Sequence, residues 1–382
     1  MPKQKIHIVH VITGLELGGA ERSLYRLTRG IDKTRFRITV VSLSGAGSLE
    51  KVLVEDGIEV LPLRLVKKNP LTWLSIVKFW YWIWKQRPDL IQGWMYHGDL
   101  VATLVKITSP VKILVWNNRC SKLDFKYYSP LTRWIILLLA RLSSFPHAII
   151  HNSLAGRKSH EEMGFKNPHW TYIPNGLDLT EFQRSNESRK FWRTRLAVSD
   201  DEILIGMVAR FDPMKGFYTL AAAIDIALKK ASNLKFLIIG RGVDEQAFLR
   251  SLPQNKVILM GQQDQVHKIM NAFDISTSTS SFAEGFPNVI AEAMACGVPC
   301  VVTNVGDSSV IVGDTGRIVP PNDPQALVDA WLQRANQTAH DINDLSKKCQ
   351  HQIQTQFSLE TMTQRYESLY EKLFALNNHK SR

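Results

Sequence analysis

Short apolar runs recur along this chain, and most are separated by stretches with a helical apolar rhythm. Ile6–Thr13 is the first such run, followed by a Gly-rich turn and a helical pattern from Gly19 to Arg29. Arg37–Leu43, Asp89–Trp94, Lys112–Asn117 and Ala148–Asn152 are further strand candidates. A run that is apolar throughout, rather than at alternate positions, marks a strand buried on both faces. The repeating βαβ order therefore predicts a parallel sheet with helices on either side. From Gly176 to Glu202 the rhythm lapses into a stretch rich in Ser, Arg and Glu, which reads as a link between domains.

The rhythm then restarts. Ile203–Val208, Leu234–Ile239, Val257–Met260, Asp274–Thr279 and Pro299–Thr303 are the strand candidates of the second half. Tyr218–Lys230, Asp244–Arg250, Asn288–Cys296 and Asp323–Leu332 are the helices between or after them, and Leu359–Leu376 is a last helix beyond the second sheet. The 382 residues accordingly divide into two doubly wound α/β domains, at 1–180 and 181–357, with a terminal helix in 358–382 placed to return to the first domain.

Composition narrows the setting. The four cysteines, Cys120, Cys296, Cys300 and Cys349, are too scattered for a disulfide framework and have no His or Cys cluster beside them, which suits buried thiols in a reducing compartment. Met1–Lys5 leads into a strand rather than a signal core, and no run of about 18 apolar residues would span a bilayer. A cytoplasmic protein is expected. The net charge of +12 is unevenly spread. Up to Arg195 there are 30 Lys and Arg against 15 Asp and Glu; beyond it, 17 against 20. The first half therefore favours anionic partners, or carries a general solubility charge. Within it, Trp73, Phe79, Trp80, Tyr81, Trp82 and Trp84 stand among Lys78, Lys85 and Arg87, and Trp134 begins an apolar stretch between Arg133 and Arg141. Aromatic residues flanked by cations suit a helix lying on an anionic membrane, and equally a packed domain helix. Nothing resembles a nucleic-acid-binding motif, so no nucleic-acid partner is expected.

Candidate chemistry sits at the ends of the strands. After the first strand come Gly14 and the pair Gly18-Gly19, where a ligand can approach the backbone and helix-start N–H groups can hold a phosphate. The G-x-G-x-x-G fingerprint of nicotinamide dinucleotide sites is not completed there. In the second half Arg210 follows a strand and Lys215-Gly216 lies five residues on, so two cations would reach one pyrophosphate or simply face solvent. Ser281–Gly297 holds Glu284 in a loop, Gly285-Phe286-Pro287-Asn288-Val289 at a helix start, and Glu292 about one turn inside the helix. Those N–H groups suit a phosphate and Glu292 suits ribose hydroxyls; a capped helix with two exposed carboxylates is the plainer reading.

Four features in order resemble the family 4 retaining glycosyltransferases. They are Gly18-Gly19-Ala20-Glu21-Arg22; Ile173-Pro174-Asn175-Gly176-Leu177-Asp178; Arg210 through Lys215-Gly216; and Glu284 with Glu292. Tyr366 and Tyr370 on the last helix agree. The resemblance implies the GT-B fold, two doubly wound Rossmann-like domains facing across a cleft with a C-terminal helix crossing back. It also implies roles. Arg210 and Lys215 would stabilise a leaving nucleoside diphosphate. Glu284 would contact the transferred sugar, helped by the backbone from Gly285 to Val289, and Glu292 would hold the ribose. Gly18 and Gly19 would approach the donor phosphates, and Arg241 would belong to the nucleotide wall. The donor would be a nucleoside-diphosphate sugar carrying a hexose or N-acetylhexosamine. The acceptor would be a glycan, expected to be lipid-linked, in surface polysaccharide or lipopolysaccharide assembly at the cytoplasmic face of a membrane.

The chain has no Asp-x-Asp. No metal or other cofactor is expected, because the cations and helix-start amides would carry the diphosphate charge. Two departures from the family pattern stand out. Trp94 occupies a position where a His often stands, and His97 follows three residues later, in a site role or a local structural one. Val305-Gly306-Asp307-Ser308-Ser309 lacks the Glu often found after that Gly. A nucleotide-sugar epimerase of the same fold and a non-catalytic nucleotide-sugar binder are the alternative readings.

Overall fold

The computed structural model describes residues 5–16, 18–45, 47–65, 71–119, 125 and 128–380, with side chains excepted at 71–73 and 380. Cys120 and the side chain of Trp73 lie outside the described residues. The chain divides into two compact units, 1–176 with 359–382, and 177–358.

The first unit carries seven strands: β1 (Ile6–Ile12), β2 (Phe36–Ser42), β3 (Glu59–Pro62), β4 (Leu90–Trp94), β5 (Ile113–Asn118), β6 (Ala148–His151) and β7 (Trp170–Tyr172). All pair in parallel, in the order β3-β2-β1-β4-β5-β6-β7. Side chains along β1 alternate between two cores, which is why the run is apolar at every position but the buried His7 and His10. Ile8 and Ile12 pack with Leu24, Leu27, Tyr366 and Tyr370 on one face. Val9 and Val11 pack with Phe79, Ile83, Ile136 and Leu139 on the other. Helix Leu359–Lys380 belongs to this unit. Its tyrosines are fully enclosed: Tyr370 Oη donates to Gln92 Oε1 at 2.7 Å, and Asn117 Nδ2 donates to Tyr366 Oη at 2.8 Å.

The second unit has six strands, again all parallel: β8 (Ile203–Val208), β9 (Leu234–Ile239), β10 (Val257–Met260), β11 (Ile275–Ser278), β12 (Cys300–Thr303) and β13 (Arg317–Val319), ordered β10-β9-β8-β11-β12-β13. Leu204, Leu237 and Ile239 face a core with Phe286, Ile290 and Met294, while Ile205, Met207, Phe236 and Ile238 face Ala223, Ile224 and Trp331. Both units are thus doubly wound parallel α/β sheets, as the apolar runs predict. In each, strand order reverses once, between β1 and β4 and between β8 and β11. Such switch points open a crevice at the carboxyl ends of the two strands, where ligands of open α/β sheets bind.

Several elements differ from the sequence expectation. The stretch 176–202 is no free link: from Leu177 it belongs to the second unit and contains helix Asn186–Arg195. Charge rather than apolar rhythm anchors that helix. Arg189 and Arg193 both pair with Asp274, at 2.5 and 2.8 Å, and the Ser185 side chain caps the start. The edge strands β3, β7 and β13 escape detection because they are short and only partly buried, so their runs are not fully apolar. The helix expected at Asp244–Arg250 shrinks to Ala247–Arg250. An unanticipated helix, Ala339–Gln356, starts at a capping box of Thr338 and Asp341. Cys296, Cys300 and Cys349 are buried free thiols, and burial pushes Cys296 up to about 12, far from the reactive thiolate range.

Candidate functional site

In the second unit the candidate residues gather on the loops that leave β8 and β11, on either side of the switch point. Asp212 caps a single 3-10 turn, Pro213–Lys215, by accepting from the Met214 N–H at 3.1 Å. Gly216 then takes a left-handed φ of 66°. A Cβ there would stand 1.9 Å from the Thr279 carbonyl oxygen, so only glycine lets the two loops approach. They are stitched by Thr279 Oγ1 donating to the Lys215 carbonyl at 2.8 Å and the Ser281 N–H donating to the Met214 carbonyl at 2.8 Å.

This stitching delivers Lys215 to Glu284, and the Nζ ammonium forms an ion pair with Oε1. Ser280 Oγ donates to the same oxygen at 2.9 Å. The Glu284 side chain is 8% exposed and that of Lys215 is 19% exposed, so the pair is largely withdrawn from water. Ala283, just before Glu284, holds a positive φ of 60°. A non-glycine residue in that region costs of order 1 kcal/mol and persists where the surroundings impose it. Phe286 and Ile290 anchor the following helix, Asn288–Ala295, in the core, and Pro287 stands at its N-cap. Asn288, Val289 and Glu292 are half-buried on that helix, and Gly285 is half-buried just before it.

Arg210 and Arg241 occupy a more open rim. Arg210 pairs with Asp212, Nη2 to Oδ2 at 3.0 Å, and its side chain is 60% exposed. The structure therefore brings Lys215 and Glu284 into contact, while the Arg210 guanidinium turns to Asp212 on its own loop. Arg241 is exposed in the turn after β9, and its carbonyl accepts from the Phe211 N–H at 2.9 Å, tying this turn to the Arg210 loop.

Gly18, Gly19 and His97 lie in the first unit, beside its own switch point. Gly18 is the N-cap of helix Gly19–Gly30 and supplies no side-chain cap; a Cβ on Gly19 would meet nothing within 4 Å. His97 stands in the first turn of helix Met95–Thr108, directly after β4. Met95 enters that helix with a φ of 61°. The turn lies tight against β1, since a Cβ on Gly98 would come 2.4 Å from the Val11 carbonyl oxygen. Burial lowers the pKa of His97, which keeps the imidazole neutral near pH 7, and it hydrogen-bonds no described residue. Trp94 is wholly structural, enclosed with Nε1 donating to His10 Nδ1 at 3.1 Å. Among the described residues no three His, Cys, Asp or Glu gather as a metal site.

Ser280, Thr279 and Asp212 were not singled out from sequence. Thr279 acts through a contact with Lys215 made only when two strand ends meet, whereas Asp212 and Ser280 act within their own loops, on Met214 and Arg210 and on Glu284, through turns that residue spacing alone does not reveal.

Comparison with known proteins agrees with this architecture. The family model "Glycosyltransferase Family 4" matches residues 17–181, and "Glycosyl transferases group 1" matches 202–337. The capsular polysaccharide biosynthesis glycosyltransferase CapM of Staphylococcus aureus is 25% identical over 324 residues, covering 78% of this chain and 80% of CapM. An Escherichia coli UDP-Gal:alpha-D-GlcNAc-diphosphoundecaprenol alpha-1,3-galactosyltransferase is 25% identical over 207 residues, covering 52% of this chain and 53% of that one. Among solved structures, Anabaena HepE in complex with UDP superposes with a TM-score of 0.79 at 22% identity, over 96% of this chain and 100% of that one. With both halves matched and the fold shared, the chain belongs to the family 4 glycosyltransferases.

Proposed function

We propose that this glycosyltransferase moves a hexose or N-acetylhexosamine, with retention, from a nucleoside-diphosphate sugar to a lipid-linked glycan in surface polysaccharide or lipopolysaccharide assembly. The observation that carries the reading is the Lys215–Glu284 pair at the switch point of the second unit. One cation and one carboxylate side by side suit a ligand with a diphosphate next to polyhydroxyl. Lys215 would turn to the diphosphate, joined by Arg210 from the rim, and Glu284 would accept hydrogen bonds from sugar hydroxyls. Glu292, one turn into the helix, would hold the ribose, the backbone from Gly285 to Val289 would surround the phosphates, and Arg241 would belong to the nucleotide wall. In the first unit, Gly18 and Gly19 would approach a phosphate of the donor, and neutral His97 would stand beside that unit's own switch point. The names of the relatives support the substrate class: capsular polysaccharide for CapM, a diphosphoundecaprenol acceptor for the Escherichia coli enzyme, and UDP bound to HepE.

In the step itself the bond from the sugar's anomeric carbon to the diphosphate oxygen breaks and a bond to the acceptor hydroxyl oxygen forms on the same face. The acceptor's proton passes to the departing diphosphate. Lys215 and Arg210 stabilise the charge that builds there, in place of a metal ion, so no metal is required. A panel of nucleoside-diphosphate sugars tests the reading. One donor should raise the melting temperature and be consumed in the presence of EDTA, and proton NMR should show the donor's anomeric configuration kept in the product. An inverted product, or activity lost with EDTA, would overturn the mechanism.

The enzyme would work at the cytoplasmic face of a membrane, held there by its first unit. No helix among the described residues is long and apolar enough to cross one. Helix Leu71–Gln86 buries Phe79 and Ile83 but turns Leu74, Val77, Tyr81 and Trp84 outward, with Tyr81 69% exposed. Helix Pro130–Leu142 likewise exposes Leu131, Trp134 and Leu137. Exposed Lys78, Lys85 and Arg141 border these stripes, which suits anionic headgroups around an apolar insertion. Replacing Lys78 and Lys85 together by Glu should weaken sedimentation with phosphatidylglycerol vesicles at least about tenfold, at roughly 1 kcal/mol per cation. Unchanged sedimentation would reject the membrane face.

A further inference from the structure

Arg119 directly follows β5, at the carboxyl end of the first unit's sheet. Its guanidinium donates to Ser23 Oγ at 2.8 Å, to Tyr366 Oη at 3.4 Å and to Asn175 Oδ1. It also lies over the Trp94 ring, 5.4 Å from the centroid. Every one of these partners is uncharged, and two of the five N–H donors remain unspent among the described residues. Burial lowers the Arg119 pKa, and Arg26, another cation, lowers it further; among the described residues no acid is paired with it.

Three cations drawn in from solvent have acids beside them: Arg193 faces Asp274, Lys215 faces Glu284 and Lys235 faces Glu202. Arg334 lacks one too, but it is sealed in, donating to the Thr315 carbonyl, whereas Arg119 keeps a partly exposed side. A desolvated guanidinium with neutral partners, a second cation nearby and an open side is an incomplete charge system, which an oxyanion would complete. Ser23 and Arg26 both stand on helix Gly19–Gly30, whose uncapped start opens onto the free space at Gly19. Asn175, the third partner, lies in the Ile173–Asp178 motif, so the fold holds Arg119 from the sequence-distant segments that frame the end of this sheet.

We propose that Arg119, with Arg26 beside it, is an oxyanion site on the first unit that takes a phosphate or diphosphate group of a substrate. The inference rests on the glycosyltransferase reading above for its substrate class. The group would come from the nucleotide-sugar donor or from a phosphate-bearing acceptor lipid.

Inorganic pyrophosphate is the probe, used with the full chain carrying Arg210→Ala and Lys215→Ala so that the second unit's cations are silent. Pyrophosphate should still raise the melting temperature of this protein, and adding Arg119→Gln should abolish the rise. No rise before Arg119→Gln, or an equal rise after it, would overturn the site. Because Arg119→Gln also loses bonds to Asn175 and Tyr366, the native chain provides a second reading. Pyrophosphate should protect Arg119 from phenylglyoxal, read by peptide mass, and equal labelling with and without it would overturn the site. In steady state, Arg119→Gln in the otherwise native enzyme should raise one KM about 10–100-fold, that of the donor or of the acceptor, which identifies the source. Neither KM moving would overturn it. Failure of every nucleotide sugar to react would sink the functional reading and leave the pyrophosphate experiments to judge Arg119 alone.

Discussion

Glu284→Ala is expected to lower turnover by about 10³-fold while the protein stays folded and still binds a nucleoside diphosphate. The argument is local. Glu284 is the carboxylate that the switch-point loops press against Lys215, and Ser280 holds the same oxygen. If it positions the sugar, its loss removes orientation at the reacting centre and leaves the nucleotide's own contacts in place. The fold should survive because the stitches between the loops do not use Glu284: they run from Thr279 to Lys215 and from Ser281 to Met214. The freed Lys215 ammonium, already partly exposed, can turn to water. Steady-state kinetics and thermal melts with the nucleoside diphosphate check both halves. Turnover close to that of the native enzyme would remove Glu284 from the site.

Lys215→Ala should have a different signature, with kcat lowered by about 10²–10³-fold and the donor's KM moved much less, because the ammonium matters most as negative charge builds on the departing diphosphate. Stability should also fall, by about 1–3 kcal/mol, more than for Glu284→Ala. The asymmetry follows from burial. Taking away the lysine leaves a nearly enclosed carboxylate with Ser280 as a neutral donor, whereas taking away the glutamate leaves a cation with a route to solvent. Single-turnover rates measured well below the melting point separate the chemical effect from unfolding. A kcat equal to that of the native enzyme would take Lys215 out of leaving-group stabilisation.

The two variants also bear on the ligand-free site. There the cation and the carboxylate neutralise each other, so in the proposed mechanism the donor would part them, replacing the lysine's partner with diphosphate and the glutamate's with sugar hydroxyls. A ligand offering only one of these groups would leave the other side chain without its partner. Free phosphate and free sugar should accordingly bind far more weakly than the intact donor.

The chain's order by itself determined the fold class. Central strands such as β1, β8 and β9 are apolar at nearly every position because both faces of a parallel sheet are covered, and that requirement is written residue by residue. The glycines and charged residues of the Gly18-Gly19, Lys215-Gly216 and Glu284–Glu292 motifs are equally visible in order. Edge strands and the helix at Asn186–Arg195 are not, since an edge buries little and that helix is anchored by arginines reaching Asp274 about eighty residues away. Only the tertiary structure decided which groups meet. β8 and β11 are neighbours although two strands lie between them in sequence, so Lys215 reaches Glu284 across a separation of 69 residues, while Arg210 turns to Asp212. Arg119 likewise acquires Ser23, Asn175 and Tyr366 from three distant segments. Hydrophobic patterning acts at the short range of one helix turn or one strand pleat, whereas the pairing of charges depends on sheet order, and no local spacing encodes that.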